Sequence, residues 1–140
     1  MKPLESANYR LRVAQGFLEE ARQDNSMGRW RSCVDNSQLA VEHALKAVIA
    51  LWGPVPKTHR PATRLMEILN EGQVPQQFRA EVDQLIDFAE FLGPEVHIRT
   101  DYGDEIGGLT PWELFEADDA QEALDIAERV VHLATQTIKK

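Results

Sequence analysis

Only one cysteine, Cys33, occurs in the chain, so no internal disulfide can form and a reducing cytosol is the natural compartment. Aromatic residues make up 7% and runs of β-branched residues are missing, which argues against a strand-rich core. No apolar run approaches the roughly 20 residues that a membrane-spanning helix needs. The opening MKPLESANYR carries no apolar signal segment, and a soluble, cytoplasmic protein is expected. Positive charge is scarce too: 15 Lys and Arg stand against 23 Asp and Glu, a net charge of −8. That balance opposes indiscriminate binding to nucleic acid or anionic lipid but leaves room for a local basic patch. Gly-rich phosphate loops, Cys/His metal spacings and the GxSxG nucleophile motif are absent. Neither a cofactor nor a metal is therefore expected.

What the chain does have is helical periodicity. From Trp30 to Trp52 no Gly or Pro intervenes, and Trp30, Cys33, Val34, Ser37, Ala40, Val41, Ala44, Leu45, Val48 and Leu51 repeat at the spacing of one helical face. This helix spans on the order of 34 Å, and the rest of the chain is expected to wrap around it. Similar stripes predict helices over Leu4–Ala21, Ala62–Asn70, Pro75–Leu92 and Asp118–Ile138. The fold class is all-α: an antiparallel up-and-down bundle of four long helices and one short one, in a single domain over 1–140.

The second face of the long helix carries Asp35, Asn36, Gln38, Glu42, His43 and Lys46 beside the outward apolar residues Leu39 and Ile49. One reading is a solvated face on which Glu42 and Lys46 form an exposed pair four residues apart, contributing about 0.2–0.5 kcal/mol. The other is a ligand groove lined by Glu42 and Lys46, with Leu39 and Ile49 covered by a second subunit to give a homodimer.

Two loops hold the remaining chemistry. The Pro-rich stretch Gly53–Pro61 contains Lys57 and His59. Gly93–Ala117 shows no helical period beyond a turn near Trp112–Phe115, and such a long connection is often functional. It concentrates His97, Arg99, Asp101, Tyr102, Asp104 and Glu105: a proton shuttle, a phosphate-binding guanidinium, a stacking ring and carboxylates. The bland alternative is an Arg–Asp network that pins the loop to the bundle. A metal held by His97, Asp101, Asp104 and Glu105 matches no strong spacing.

Three segments in order, Gln38–Ala47 (QLAVEHALKA), Pro56–His59 (PKTH) and His97–Asp104 (HIRTDYGD), resemble the HEPN domain family over about Asn8–Ile138. The resemblance implies a helical bundle, commonly homodimeric, encoded beside or fused to a minimal nucleotidyltransferase. It also implies either metal-independent ribonuclease activity in toxin–antitoxin and defence systems or non-catalytic nucleotide or RNA binding. The bundle is similar as well to the helical substrate-binding domain of kanamycin nucleotidyltransferase. The ribonuclease members carry Arg, four to six residues, then His; upstream of His97 those places hold Glu90, Phe91 and Leu92. The segment is closer to members ending in Thr-Arg-Tyr-Pro-Asp, matched by Thr100, Tyr102 and Asp104, with Asp101 in place of Arg and Gly103 in place of Pro.

The expected function is a HEPN-type module that binds nucleotide or RNA phosphate through Lys57, His59, Arg99, Asp101, Tyr102 and Asp104, with Glu42 and Lys46 in the groove, acting with a nucleotidyltransferase partner. The alternatives are a metal-independent ribonuclease using His97 as acid/base and Arg99 as the phosphate cation, or a non-catalytic interaction protein whose loop only packs. The missing Arg-to-His spacing favours binding over cleavage.

Overall fold

A computed structural model describes every residue from Met1 to Lys140. Seven α-helices follow one another: α1 (Pro3–Ser26), α2 (Trp30–Ile49), α3 (Pro61–Asn70), α4 (Arg79–Glu90, entered through a 3-10 turn at Gln76–Phe78), α5 (Pro94–Tyr102), α6 (Pro111–Leu114) and α7 (Ala117–Ile138). No helix is long and apolar enough to cross a membrane. The only extended pairing is a single bridge between Asp104 and Leu109.

Helix α2 is the axis of the molecule and packs against every other α-helix. Helices α1 and α2 form a hairpin whose turn is fixed by the buried Asp24 carboxylate, 2.7 Å from Asn36 Nδ2. Arg22 bonds Glu128 at 3.0 Å and Asn25 bonds Gln121 at 3.1 Å, so α7 runs antiparallel to α1. At the far end Lys140 pairs with Glu81 and donates to the Gln77 carbonyl, so α4 runs antiparallel to α7. The four long helices are thus up-and-down. Their contact faces alternate alanine with larger residues: Ala7, Ala14, Ala40, Ala44, Ala127 and Ala134 are all fully buried. Small side chains let the helix axes approach closely, which is how a chain poor in aromatics fills its core.

Three expectations are corrected. Gly93–Ala117 holds more than the turn expected near Trp112–Phe115, which is α6: a second helix, α5, lies inside it. Gly93-Pro94 starts a helix rather than merely ending one: Gly93 is the extended N-cap and Pro94 opens the first turn, where its missing N–H leaves no bond unmade. The second face of α2 is not solvated either. Gln38 is 2% exposed, Glu42 5% and Ile49 0%, all covered within the protomer, while Leu39 is half-buried. The Leu39/Ile49 argument for a partner therefore loses Ile49. Helix α2 also ends three residues early, as Ala50–Trp52 tighten into a turn in which Trp52 N–H bonds the Ile49 carbonyl at 3.0 Å.

Candidate functional site

Asp35 and Glu42 sit two turns apart on the same side of α2, and each meets a histidine from another element. His97, on α5, places Nδ1 2.8 Å from Asp35 Oδ1. His59, in the loop before α3, places Nδ1 3.3 Å from Glu42 Oε1. An ionised carboxylate only accepts, so in each neutral ring Nδ1 carries the proton and Nε2 is left as the acceptor, which in His97 lies 3.7 Å from the Asp101 carboxylate. The two rings lie nearly parallel, 24° apart, with centroids 6.4 Å from each other. His59 is 77% exposed and His97 34%, so both reach solvent from a rigid backing.

Hydrogen bonds and ion pairs hold the backing. Thr100, fully buried, holds its hydroxyl 3.2 Å from Asp35 Oδ1 and 2.6 Å from the His97 carbonyl. Arg31 donates to the Thr100 carbonyl at 3.1 Å, and its guanidinium lies 5.5 Å from the centre of the Trp112 ring. Lys46 Nζ lies 3.4 Å from Glu42 Oε2 in a pair whose side chains are 12% and 5% exposed. Arg60 pairs with Glu95, tying the His59 loop to the start of α5. The pinning of the 93–117 segment expected from an Arg–Asp network is done instead by His97 on Asp35 and Arg31 on a backbone carbonyl.

The other expected residues are dispersed. On a helix of 3.6 residues per turn, His97 and Arg99 diverge by about 200°. Arg99 therefore belongs to a different, open surface with Ile98, Tyr102 and Ile106, while Asp101, four residues on, shares the His97 side, its Oδ2 3.7 Å from Nε2. Arg99 and Lys57 are exposed and make no ion pair. Asp104 shapes a turn: its backbone pairs with Leu109 at 2.8 and 2.9 Å and its carboxylate accepts from Gly107 N–H at 2.9 Å. Gly103 adopts φ +71°, and a Cβ there would stand 2.3 Å from the Leu109 carbonyl oxygen, so the place where the resembling motif has Pro is reserved here for Gly. No three His, Cys, Asp or Glu residues are grouped to hold a metal ion. Asp35, Thr100 and Arg31 were not foreseen as site residues. The available signal was the seven-residue interval that puts Asp35 and Glu42, the two acidic residues of the helix, on one side of it.

These features define a small all-α module organised on one central helix, with a paired-imidazole face. A family profile for the HEPN domain matches residues 7–138, and the chain belongs to the HEPN domain family. It is 24% identical over 146 residues to "Putative toxin MJ1304" of Methanocaldococcus jannaschii, covering 98% of this chain and 95% of that protein. Among solved structures, TT1696 from Thermus thermophilus superposes with a TM-score of 0.69 at 21% identity, over 98% of this chain and 99% of the other, a likeness of fold.

Proposed function

We propose that this protein is a toxin-type HEPN module, cytoplasmic and homodimeric, that engages the phosphate of a nucleotide or RNA at the His59–His97 face and acts with a minimal nucleotidyltransferase partner. The observation that carries the reading is the pair of near-parallel imidazoles, 6.4 Å apart, each fixed through Nδ1 by a carboxylate of α2. Fixed imidazoles direct Nε2 at a ligand without having to be ordered on binding, and the exposed Lys57, two residues from His59, adds positive charge at the rim. The toxin setting rests on the named relative. Titration of the protein with AMP and with a short RNA, followed through the histidine ring resonances, should shift His59 and His97 while leaving His132 unmoved. Affinity should fall at least tenfold in both His59→Ala and His97→Ala. Equal affinity in wild type and both variants would overturn the reading.

The same pair supports a second reading, metal-independent RNA cleavage, with His59 rather than Arg99 as the partner of His97. One Nε2 would take the proton of the ribose 2′-OH while the other, protonated, gives a proton to the leaving 5′-oxygen, forming a 2′,3′-cyclic phosphate. Acid–base groups of this kind contribute about 10²–10⁴-fold each. Cleavage in EDTA that drops by at least 10²-fold in each single His variant would place this reading first.

A further inference from the structure

Helix α4 has 12 residues against the 22 of α7, to which it runs antiparallel, and the chain turns away at Gly93-Pro94 to start α5. The N-terminal half of α7 therefore outruns α4, and an open groove follows it past the end of α4. Its floor is apolar, with Phe88 and Phe91 from the α4 side, Ile126 from α7, and Val96 and Phe115 from the segments beyond. Phe91 is 68% exposed, although it shares the groove with the buried Leu92 and Ala123. Along one wall stand Asp118, Glu122 and Asp125, at steps of four and three residues on one side of α7. None of the three is in an ion pair: Arg22 goes to Glu128, and Arg129, the one cation of the lining, lies over the Phe88 ring, 5.9 Å from its centre.

We propose that this groove docks a basic amphipathic helix of a partner protein, which lays an apolar stripe over Phe88, Phe91 and Ile126 and sets Lys or Arg side chains against Asp118, Glu122 and Asp125. The apolar floor makes the groove a docking surface, and the charge of its wall selects the occupant. Amphipathic helices enter such grooves through apolar anchors at i, i+3, i+4 and i+7. An extended peptide has no sheet edge to join, since the molecule's only extended pairing is the bridge between Asp104 and Leu109. From Asp118 to Arg129, at 1.5 Å per residue, the groove is roughly 17 Å long, about three turns of a partner helix. A partner running parallel to α7 would carry its cations at i, i+4 and i+7, and one running antiparallel at i, i+3 and i+7. A second copy of this chain fits poorly, because a two-fold contact is isologous and would set the three carboxylates against their own copies in a chain already at −8. Nucleic acid and anionic lipid are disfavoured by the same charge. The groove shares no residue with the His59–His97 face, so the inference does not rest on the phosphate reading.

The test titrates the full chain with a fluorescent peptide of about 14 residues, close to four helical turns, that has Leu on one helical face and Lys on the other. Two controls accompany it: the same residues scrambled to break the stripe, and the stripe kept with Glu in place of Lys. The striped Lys peptide should bind at least tenfold more tightly than either control and lose affinity as salt is raised. Its amide shifts should centre on Phe91, Glu122 and Ile126. Phe91→Ser, at an exposed position, should lower affinity at least tenfold. The triple variant Asp118→Lys/Glu122→Lys/Asp125→Lys should prefer the Glu peptide, a readout that does not depend on how Phe91→Ser folds. Ile98→Ser, at an exposed apolar residue outside the groove, should bind as the wild type does. The proposal is overturned if no peptide binds, if striped and scrambled Lys peptides bind alike, or if either Phe91→Ser or the triple variant keeps the wild-type affinity and preference. It is overturned equally if Phe91→Ser converts a dimer to a monomer in sedimentation, since the groove would then hold a second copy.

Discussion

Replacing Lys46 by Ala tests how the second face of α2 is covered. Were Glu42 and Lys46 a solvated pair, losing it would cost about 0.2–0.5 kcal/mol. The structure instead leaves the Glu42 side chain 5% exposed and that of Lys46 12%, with 3.4 Å between charged atoms. Removing one partner of a buried pair costs about 3–5 kcal/mol, because the survivor is left charged without compensation. Two features reduce that figure: Lys46 keeps some contact with water, and Glu42 retains His59 Nδ1 at 3.3 Å. The expected loss is therefore about 2–3 kcal/mol, or roughly 6–9 °C in melting temperature at about 3 °C per kcal/mol for a domain of this size. Urea unfolding at neutral pH measures it, with an unchanged slope in denaturant confirming that the unfolded reference has not moved. Adding Glu42→Gln removes the stranded charge, so the double variant should be more stable than the sum of the single losses by about 1 kcal/mol or more. A Lys46→Ala loss below about 0.5 kcal/mol would refute the reasoning, since it would mean that water reaches Glu42.

Three further outcomes follow from particular residues. Gly103→Ala should cost about 2–3 kcal/mol, from a strained backbone plus a Cβ driven 2.3 Å from the Leu109 oxygen. Gly108→Ala, at φ +73° but with nothing nearby, should cost about 1, and equal losses in urea melts would defeat the steric account. Cys33, fully buried, has its thiol pushed up to about 11 by burial, so iodoacetamide at mildly alkaline pH should label it only after unfolding. His43, stacked on Phe17 with centroids 5.3 Å apart, has its pKa lowered from 6.5 chiefly by burial, with Glu42 opposing. The unfolded chain then takes up the proton first, so stability should begin to fall as pH drops below about 6.5 and go on falling until the folded pKa is passed. Denaturation midpoints between neutral and mildly acidic pH should show less of this loss in His43→Phe.

The long helices were legible because their buried residues are apolar at steps of three and four, as in Ala7, Leu11, Ala14, Leu18 and Ala21 of α1. Helix α5 was hidden because it docks by polar contacts: Thr100 is its only fully covered residue, and His97 and Thr100 meet Asp35 through hydrogen bonds. A helix held that way leaves no apolar period to read. His97 and His59 stood out as titratable groups in Pro- and Gly-bounded segments, but their pairing depends on Asp35 and Glu42, whose burial follows from the packing of α5 and the 53–60 loop rather than from anything local. Arg99 does not stand beside His97 because the segment is helical, and i and i+2 share a side in an extended strand but oppose one another in a helix.

Asp35 and Glu42 make α2 a ruler. Seven residues at 1.5 Å each set the two carboxylates about 10 Å apart along the axis, and the imidazoles lean toward each other from those fixed posts. The gap between the rings is thus written in the register of one helix, not in the loop and short helix that carry the rings. The 53–60 loop can vary in length as long as His59 still reaches Glu42. A single residue gained or lost between positions 35 and 42 would swing one post by about 100° and separate the pair without touching either histidine. Divergence in this face should accordingly be tolerated in the loop and resisted in the spacing of α2.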